Sequence, residues 1–353
     1  MRTPGSLAVR QVDPALQEDW NQQIRTFPHR NAFHSAEWAA VLAEAYGYRA
    51  KYFVADSESE FASVLPVMEV ESRWTGKRGI SLPFTDECLP LQTSREAQAA
   101  TFQAAIEHGK ANGWRYFELR GETESVRDLP GAFPSMTFYT HHLKLKGDAS
   151  DLFGMFDPAV RRAIRRSEKS GVQSAFSTSA DAMEEYYRLH CLTRKTHGLP
   201  PQPVRFFRNI QSHLIAKGHG IIVQAIHQGR VIASSIFLLM GSEAIYKFGA
   251  SDPSFQNLRG NNLVMWNGIQ WCLQKGASFL NFGRTSLSNE GLRRFKLSWG
   301  AEEKQLHYYK YDLQKNIFMK DHDATDGWHT TVFRTMPIFA NRLAGSLLYR
   351  HIA

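Results

Sequence analysis

The stretch LNFGRTSLSNEGLRRFKLSWGAEEKQLHYYKY, residues 280–311, decides how the chain is read. It opens as an apolar strand that ends at Gly283-Arg284, and its Thr, Ser and Asn residues then form a polar turn. A short helix follows, with Leu292, Phe295 and Trp299 at helical spacing on one side, and an aromatic strand closes the stretch. The apolar spacing pins the helix and projects Arg293, Arg294 and Lys296 elsewhere. A lysine locked beside a buried phenylalanine suits a site where an oxyanion develops during acyl transfer. An ordinary helix with a surface lysine satisfies the same pattern.

Working outward, the segment has a counterpart earlier in the chain. Aligning Gly113 with Gly276 places WRYFELRGET (Trp114–Thr123) on ASFLNFGRTS (Ala277–Ser286). Both are aromatic-rich strands that follow an amphipathic helix and reach a basic residue, Arg120 or Arg284. The hairpins FVADSESEFASVLP and VQAIHQGRVIASSIF also correspond. Self-similarity on this scale favours a diverged duplication over chance resemblance of two helix–Gly–strand junctions. At 353 residues the chain exceeds the usual limit of one core, so two domains are expected. The polar break Gly147–Ser150 sets them at 1–146 and 147–353. Strands alternate with helices and hairpins, which predicts an α/β (mixed α+β) architecture with partly antiparallel sheets. A helix is expected to start at Pro337 and close the chain.

A second segment, DPAVRRAIRRSEKSGV (157–172), reads as a helix that carries Arg161, Arg162, Arg165, Arg166 and Lys169 within about 140° of arc. Such a stripe suits phosphate oxygens, and a solvated face accounts for it equally well. A third, RGISLPFTDECLPL (78–91), sets Pro83 and Asp86 in a turn after a strand, where loop-borne function is commonly found, and a plain turn explains the pattern as well. The net charge of +8 favours anionic partners. Cys88, Cys191 and Cys272 form an odd, scattered set that fits a reducing compartment. The first twenty residues contain no apolar core of a signal peptide, so a cytoplasmic protein is expected. No G-x-S-x-G elbow, P-loop, H-E-x-x-H or zinc-spaced cysteine pair occurs. Adjacent His141 and His142 point to opposite faces of a strand and are read as surface and edge residues.

In this order, HSAEWAAVLAEAYGY (34–48), SVLPVMEVESRWTGKRGISLPFTD (63–86), the arginine helix and FGRTS…RFKLSWGAEEKQLHYYKY resemble the FemAB-like branch of the GNAT (Gcn5-related) acyltransferases. That branch includes peptidoglycan-bridge transferases and acetyltransferase-like proteins associated with envelope polysaccharide. The resemblance implies two tandem GNAT-like domains facing a shared cleft, and transfer of an acyl or aminoacyl group to an amine of an envelope precursor, glycan or peptide. It assigns oxyanion stabilisation to Lys296 and orientation of donor or acceptor to Arg284. It places substrate at Arg161, Arg165, Asp86, Phe295 and Trp299, and the donor at Gly260 and Asn261. The donor is a substrate, acyl-CoA or aminoacyl-tRNA, so no metal or other cofactor is expected. QNLRGNN (256–262) has one glycine where CoA-binding relatives have two small residues, which leaves the donor open. Two other readings remain: an RNA-binding module without chemistry, and a scaffold subunit in a membrane-associated polysaccharide complex. The amphipathic, basic IFANRLAGSLLYRHI (338–352) would dock on a partner or at the inner membrane face, and packing on its own domain accounts for it as well.

Overall fold

The computed structural model describes residues 7–57, 60–321 and 328–352. The chain forms two compact units, and neither is continuous in sequence. One comprises Met1–Phe138, Gln305–Asp323 and Arg350–Ala353, the other Tyr139–Lys304 and Ala324–Tyr349. A single boundary at 146/147 misses this interleaving. The chain passes from the first unit to the second inside a strand rather than at the polar break, and returns inside another.

In the first unit, β1 (Ala8–Val12) is antiparallel to β2 (Tyr52–Ser57), which pairs antiparallel with β3 (Glu60–Leu65). Between β1 and β2 lies α1 (Ala36–Tyr46). The Ser35 hydroxyl accepts from Trp38 N–H at its start, and Gly47 ends it at φ +75°. The apolar run Phe61–Val70 breaks at Pro66, which has no N–H for a ladder. Beyond it β4 (Met68–Ser72) and β5 (Gly76–Ile80) form a hairpin in a second sheet. Helix α2 (Arg95–Ala111) then leads to β6 (Tyr116–Arg120), parallel to β5. Strand β7 (Met136–Lys144) carries the chain onward.

The second unit begins with α3 (Ala149–Met155), a helix where the sequence suggested a polar break. Asp148 makes it possible by accepting from the Ser150 and Asp151 N–H groups. Next come α4 (Pro158–Lys169), β8 (Gln173–Ser177), α5 (Ala180–Thr196) and α6 (Val204–Ile210). Strands β9 (Gly220–His227), β10 (Arg230–Met240) and β11 (Glu243–Ser251) follow β8 in an antiparallel run. Helix α7 (Gly260–Gln274) crosses over to β12 (Phe279–Ser286), which lies parallel to β11. After α8 (Glu290–Leu297), β13 (Glu302–Asp312) returns to the first unit and pairs antiparallel with β6. Two helices close the chain, α9 (Trp328–Thr335) and α10 (Ile338–Leu348).

The two units repeat one junction atom for atom. Asn112, Gly113 and Trp114 donate to the carbonyls of His108, Lys110 and Gly109; Lys275, Gly276 and Ala277 donate to those of Trp271, Leu273 and Cys272. Gly113 and Gly276 have φ +72° and +79°. In each unit the next strand runs parallel to the second strand of the hairpin before the helix. The duplication read from sequence is therefore also a shared local geometry.

One aromatic wedge fixes the helices of the second unit. Phe156, in the turn between α3 and α4, meets Trp266 of α7 edge-on at 5.4 Å and Trp299 after α8 at 5.0 Å. All three rings are buried, and edge-to-face pairs of this kind add to the burial of apolar area. The three cysteines are free and buried. Among the described residues, no helix is long and apolar enough to cross a membrane.

Candidate active site

Lys296 departs from the surface-lysine pattern. Its side chain is buried, at 3% exposure, and its ammonium donates to the carbonyls of Gly283 (2.7 Å) and Arg284 (2.9 Å), which lie within β12 rather than at its end as the sequence suggested. The helix achieves this by turning more than its apolar spacing predicted. Trp299 is fully buried and Phe295 half-buried, while Leu292 is exposed, so the inward face runs through Lys296 and Trp299. Phe295 lies 6.1 Å from Trp299, ring to ring. Lys296 and Arg284 are thus brought together through the backbone of Arg284, whose own residue is exposed.

Behind Lys296 sits a polar chain that sequence reasoning did not find. His141 on β7 is buried, contrary to its reading as a surface or edge residue. Its Nε2 lies 3.0 Å from Glu303 Oε2. Arg293 grips the same carboxylate with Nε at 2.8 Å and Nη2 at 2.9 Å, and its guanidinium lies 4.4 Å from the Tyr139 ring centroid. Arg293 holds the Glu303 carboxyl below its ordinary range. Burial, reinforced by the Lys296 cation, pushes His141 down to about 4. The imidazole is therefore neutral near pH 7 and donates from Nε2 to the carboxylate. Its Nδ1 is buried without a hydrogen-bond partner. The period-2 alternation of a strand gave no warning, because β7 is covered on both faces.

A groove of about 1150 Å³ lies between α4, the start of α7 and α8, and Arg162, Arg166, Arg259 and Arg294 line it together with Phe295. Among the described residues, none of these four arginines makes an ion pair. The one acid on the wall, Asp157, caps α4 by accepting from Ala159 N–H at 2.6 Å. Arg161 and Arg165, chosen from sequence as the phosphate contacts, do not line this groove. Arg165 instead lies over the Phe153 ring at 5.4 Å. Both shoulders of α4 are basic, and the sequence of one helix does not reveal which shoulder α7 and α8 will flank.

A smaller cavity of about 300 Å³ adjoins it, sharing Arg259, Asn262 and Phe295 and lined also by Gly260 and Asn261. These two residues open α7; the N–H groups of Asn262 and Leu263 donate to the Arg259 carbonyl, which leaves those of Gly260 and Asn261 at the end of the helix that favours anions. Arg259 takes a left-handed conformation there, at φ +59°. At Gly260 a Cβ would sit 3.2 Å from Ala233 and 3.3 Å from Ile232, so glycine lets the helix start close to the sheet.

Asp86 belongs to the first unit. Its loop carries two non-glycine residues in the left-handed region, Leu82 (φ +60°) and Phe84 (φ +59°), a costly arrangement. The Arg120 guanidinium holds the loop by donating to the carbonyls of Leu82 (3.4 Å) and Thr85 (3.3 Å), and the Tyr308 hydroxyl donates to the Asp86 carbonyl. Such a braced loop is built to hold a fixed shape.

Residues 158–310 match the family model described as an acetyltransferase (GNAT) domain, a span that contains every element of the arginine groove except its edge at Met155 and Asp157. Among solved structures, FemX superposes with a TM-score of 0.68 at 13% identity, over 85% of this chain and 96% of that one. A tandem GNAT protein from the clavulanic acid biosynthesis pathway superposes at 0.55 with 11% identity, over 87% and 99%. The architecture is therefore that of tandem GNAT proteins. In sequence, the chain is 23% identical over 141 residues to the UDP-N-acetylmuramoylpentapeptide-lysine N(6)-alanyltransferase of Weissella viridescens. That match covers 38% of this chain and 40% of the relative. Together these findings identify a GNAT acetyltransferase domain over residues 158–310 and a fold like that of FemX.

Proposed function

We propose that this protein is a cytoplasmic N-acyltransferase that moves an aminoacyl or acyl group onto an amine of an envelope precursor. The observation that carries this reading is the groove of four unpaired arginines inside the acetyltransferase domain, next to the open N-terminus of α7. Activated donors of both kinds bear phosphates, in a CoA or at the 3′ end of a tRNA, and guanidinium groups in a groove bind phosphate oxygens in pairs. The acceptor amine attacks the donor carbonyl carbon, and a C–N bond forms as the C–S or C–O bond breaks. The released thiol or ribose hydroxyl keeps a proton that the amine loses. This chemistry needs positioning and charge stabilisation more than a strong base. Lys296 supplies the positive charge beside Gly283 and Arg284 of β12, and Arg284 orients the substrate beside it. Phe295 borders the groove and the adjoining cavity and serves as the apolar wall of the donor site.

The test uses alanyl-tRNA and acetyl-CoA as alternative donors. Because the sequence relative acts on a UDP-N-acetylmuramoylpentapeptide lysine, that compound is the first acceptor to try. A mass gain of one alanyl or acetyl group on the acceptor amine is expected with one donor. No product from either donor, with this acceptor or with amine-bearing glycans and peptides, would overturn the proposal.

A further inference from the structure

The last helix of the chain presents a bare apolar stripe. On α10, Phe339, Leu343 and Leu347 stand one turn apart, and they are 76%, 62% and 57% exposed. The opposite side of the helix is anchored. Asn341 donates to the Phe333 carbonyl at 2.8 Å, and Gly345 packs so tightly on Pro201 that a Cβ would fall 1.9 Å from its carbonyl oxygen. Tyr349, just past the helix, is buried with its hydroxyl on Pro200 and accepts from Arg194 at 2.7 Å. The helix is therefore held in place and does not turn its apolar stripe inward.

Charge identifies the occupant. From Trp328 to Ala353 the sequence contains no acidic residue. Arg334 near the end of α9 and Arg342 on α10 are exposed, and Arg342 is steadied over the Tyr187 ring at 5.2 Å. A second copy meeting this face would set like charges together, and three side chains fall well short of the area of a stable protein interface. A fixed helix with a short apolar ridge and a basic margin has the form of an element that lies in the plane of a bilayer surface. We propose that α10 docks the protein on membranes rich in anionic lipid, burying Phe339, Leu343 and Leu347 among the acyl chains while Arg334 and Arg342 meet headgroup phosphates. This goes beyond the transfer reaction and stands or falls independently of it.

The full-length protein is sedimented with vesicles of phosphatidylcholine alone and of phosphatidylcholine mixed with phosphatidylglycerol. Binding to the mixed vesicles is expected, with much weaker binding to the neutral ones and a decline as salt is raised. The variant Phe339→Ser/Leu343→Ser/Leu347→Ser should bind mixed vesicles about tenfold more weakly or worse. Its far-ultraviolet circular dichroism and thermal midpoint should be unchanged, and Leu343→Glu alone should reproduce the loss if the triple variant folds poorly. Arg334→Gln/Arg342→Gln should remove the preference for anionic lipid. Three results would overturn the proposal. One is equal binding by the wild type and the apolar variants. Another is loss of binding on Arg162→Glu/Arg166→Glu, which would assign it to the groove. The third is a wild-type dimer that the triple variant makes monomeric.

Discussion

At the scale of single residues, Lys296 joins stability to chemistry. Its ammonium satisfies two buried carbonyls, so Lys296→Met leaves them without a charged donor, at about 1–3 kcal/mol of folding stability. The same change removes the charge proposed to stabilise the oxyanion and should lower kcat about a hundredfold. Lys296→Arg should recover part of the rate, since a planar fork does not replace a point charge. A Met variant with full kcat and a lowered thermal midpoint would make the lysine purely structural. Three buried imidazoles set the pH response. Burial pushes His34 and His141 from 6.5 to about 4 and His190 to about 3, helped at His141 by Lys296 and at His190 by Arg194. The unfolded chain binds these protons near pH 6.5 and the folded chain refuses them, so stability is full above 6.5 and falls as the pH drops toward 4. Each group contributes up to about 1.4 kcal/mol per pH unit within that window. Urea midpoints measured between pH 7 and 4.5 should decline steadily, with a shallower slope for His190→Gln; a flat profile would contradict the burial of these rings. The burial of His141 was not legible beforehand, because a histidine in a strand looks the same whether one or both faces of the strand are covered.

At the scale of elements, the helix–glycine–strand junction was the most readable feature. Gly113 and Gly276 each end a helix in the left-handed region and have no atom within 4 Å of an added Cβ. Alanine at either position should therefore cost only the backbone term, about 1–2 kcal/mol, and nearly the same at both. Gly268 differs: its Cβ would land 2.0 Å from the Phe237 ring, so Gly268→Ala overpacks α7 against β10 and should cost more. Equal thermal shifts for the first pair and a larger one for the third would confirm the distinction. Unequal shifts for Gly113→Ala and Gly276→Ala would undo the equivalence of the two junctions. Other elements were also visible in the sequence, among them helix α4 and the strand pair that follows α6. The failures have local causes. Pro66 splits an apolar run whose hydrophobicity continues across it, and the Asp148 cap makes a helix of a polar segment. The rotation of α8 placed Lys296 inward because Trp299, wedged against Phe156, dominates its packing.

At the scale of the whole molecule, the tandem GNAT architecture was legible because the C-terminal signature and the repeat agree. The interleaving of the units was not, since it depends on where β7 and β13 pair rather than on their composition. The basic helix α4 was read either as a phosphate contact or as a solvated face, and the residues it sets on the groove are Arg162 and Arg166. The other two arginines of the groove, Arg259 and Arg294, come from distant segments that only the fold assembles. The central claim is that this groove holds the phosphates of an activated donor. The most direct measurement is equilibrium binding of labelled acyl-CoA and of aminoacyl-tRNA to the wild type and to Arg162→Glu/Arg166→Glu, at low and moderate salt. The account predicts that at least one donor binds the wild type with salt-sensitive affinity, and that the double reversal weakens it about a hundredfold and flattens the salt dependence. Equal affinity and equal salt dependence in the two proteins would contradict it.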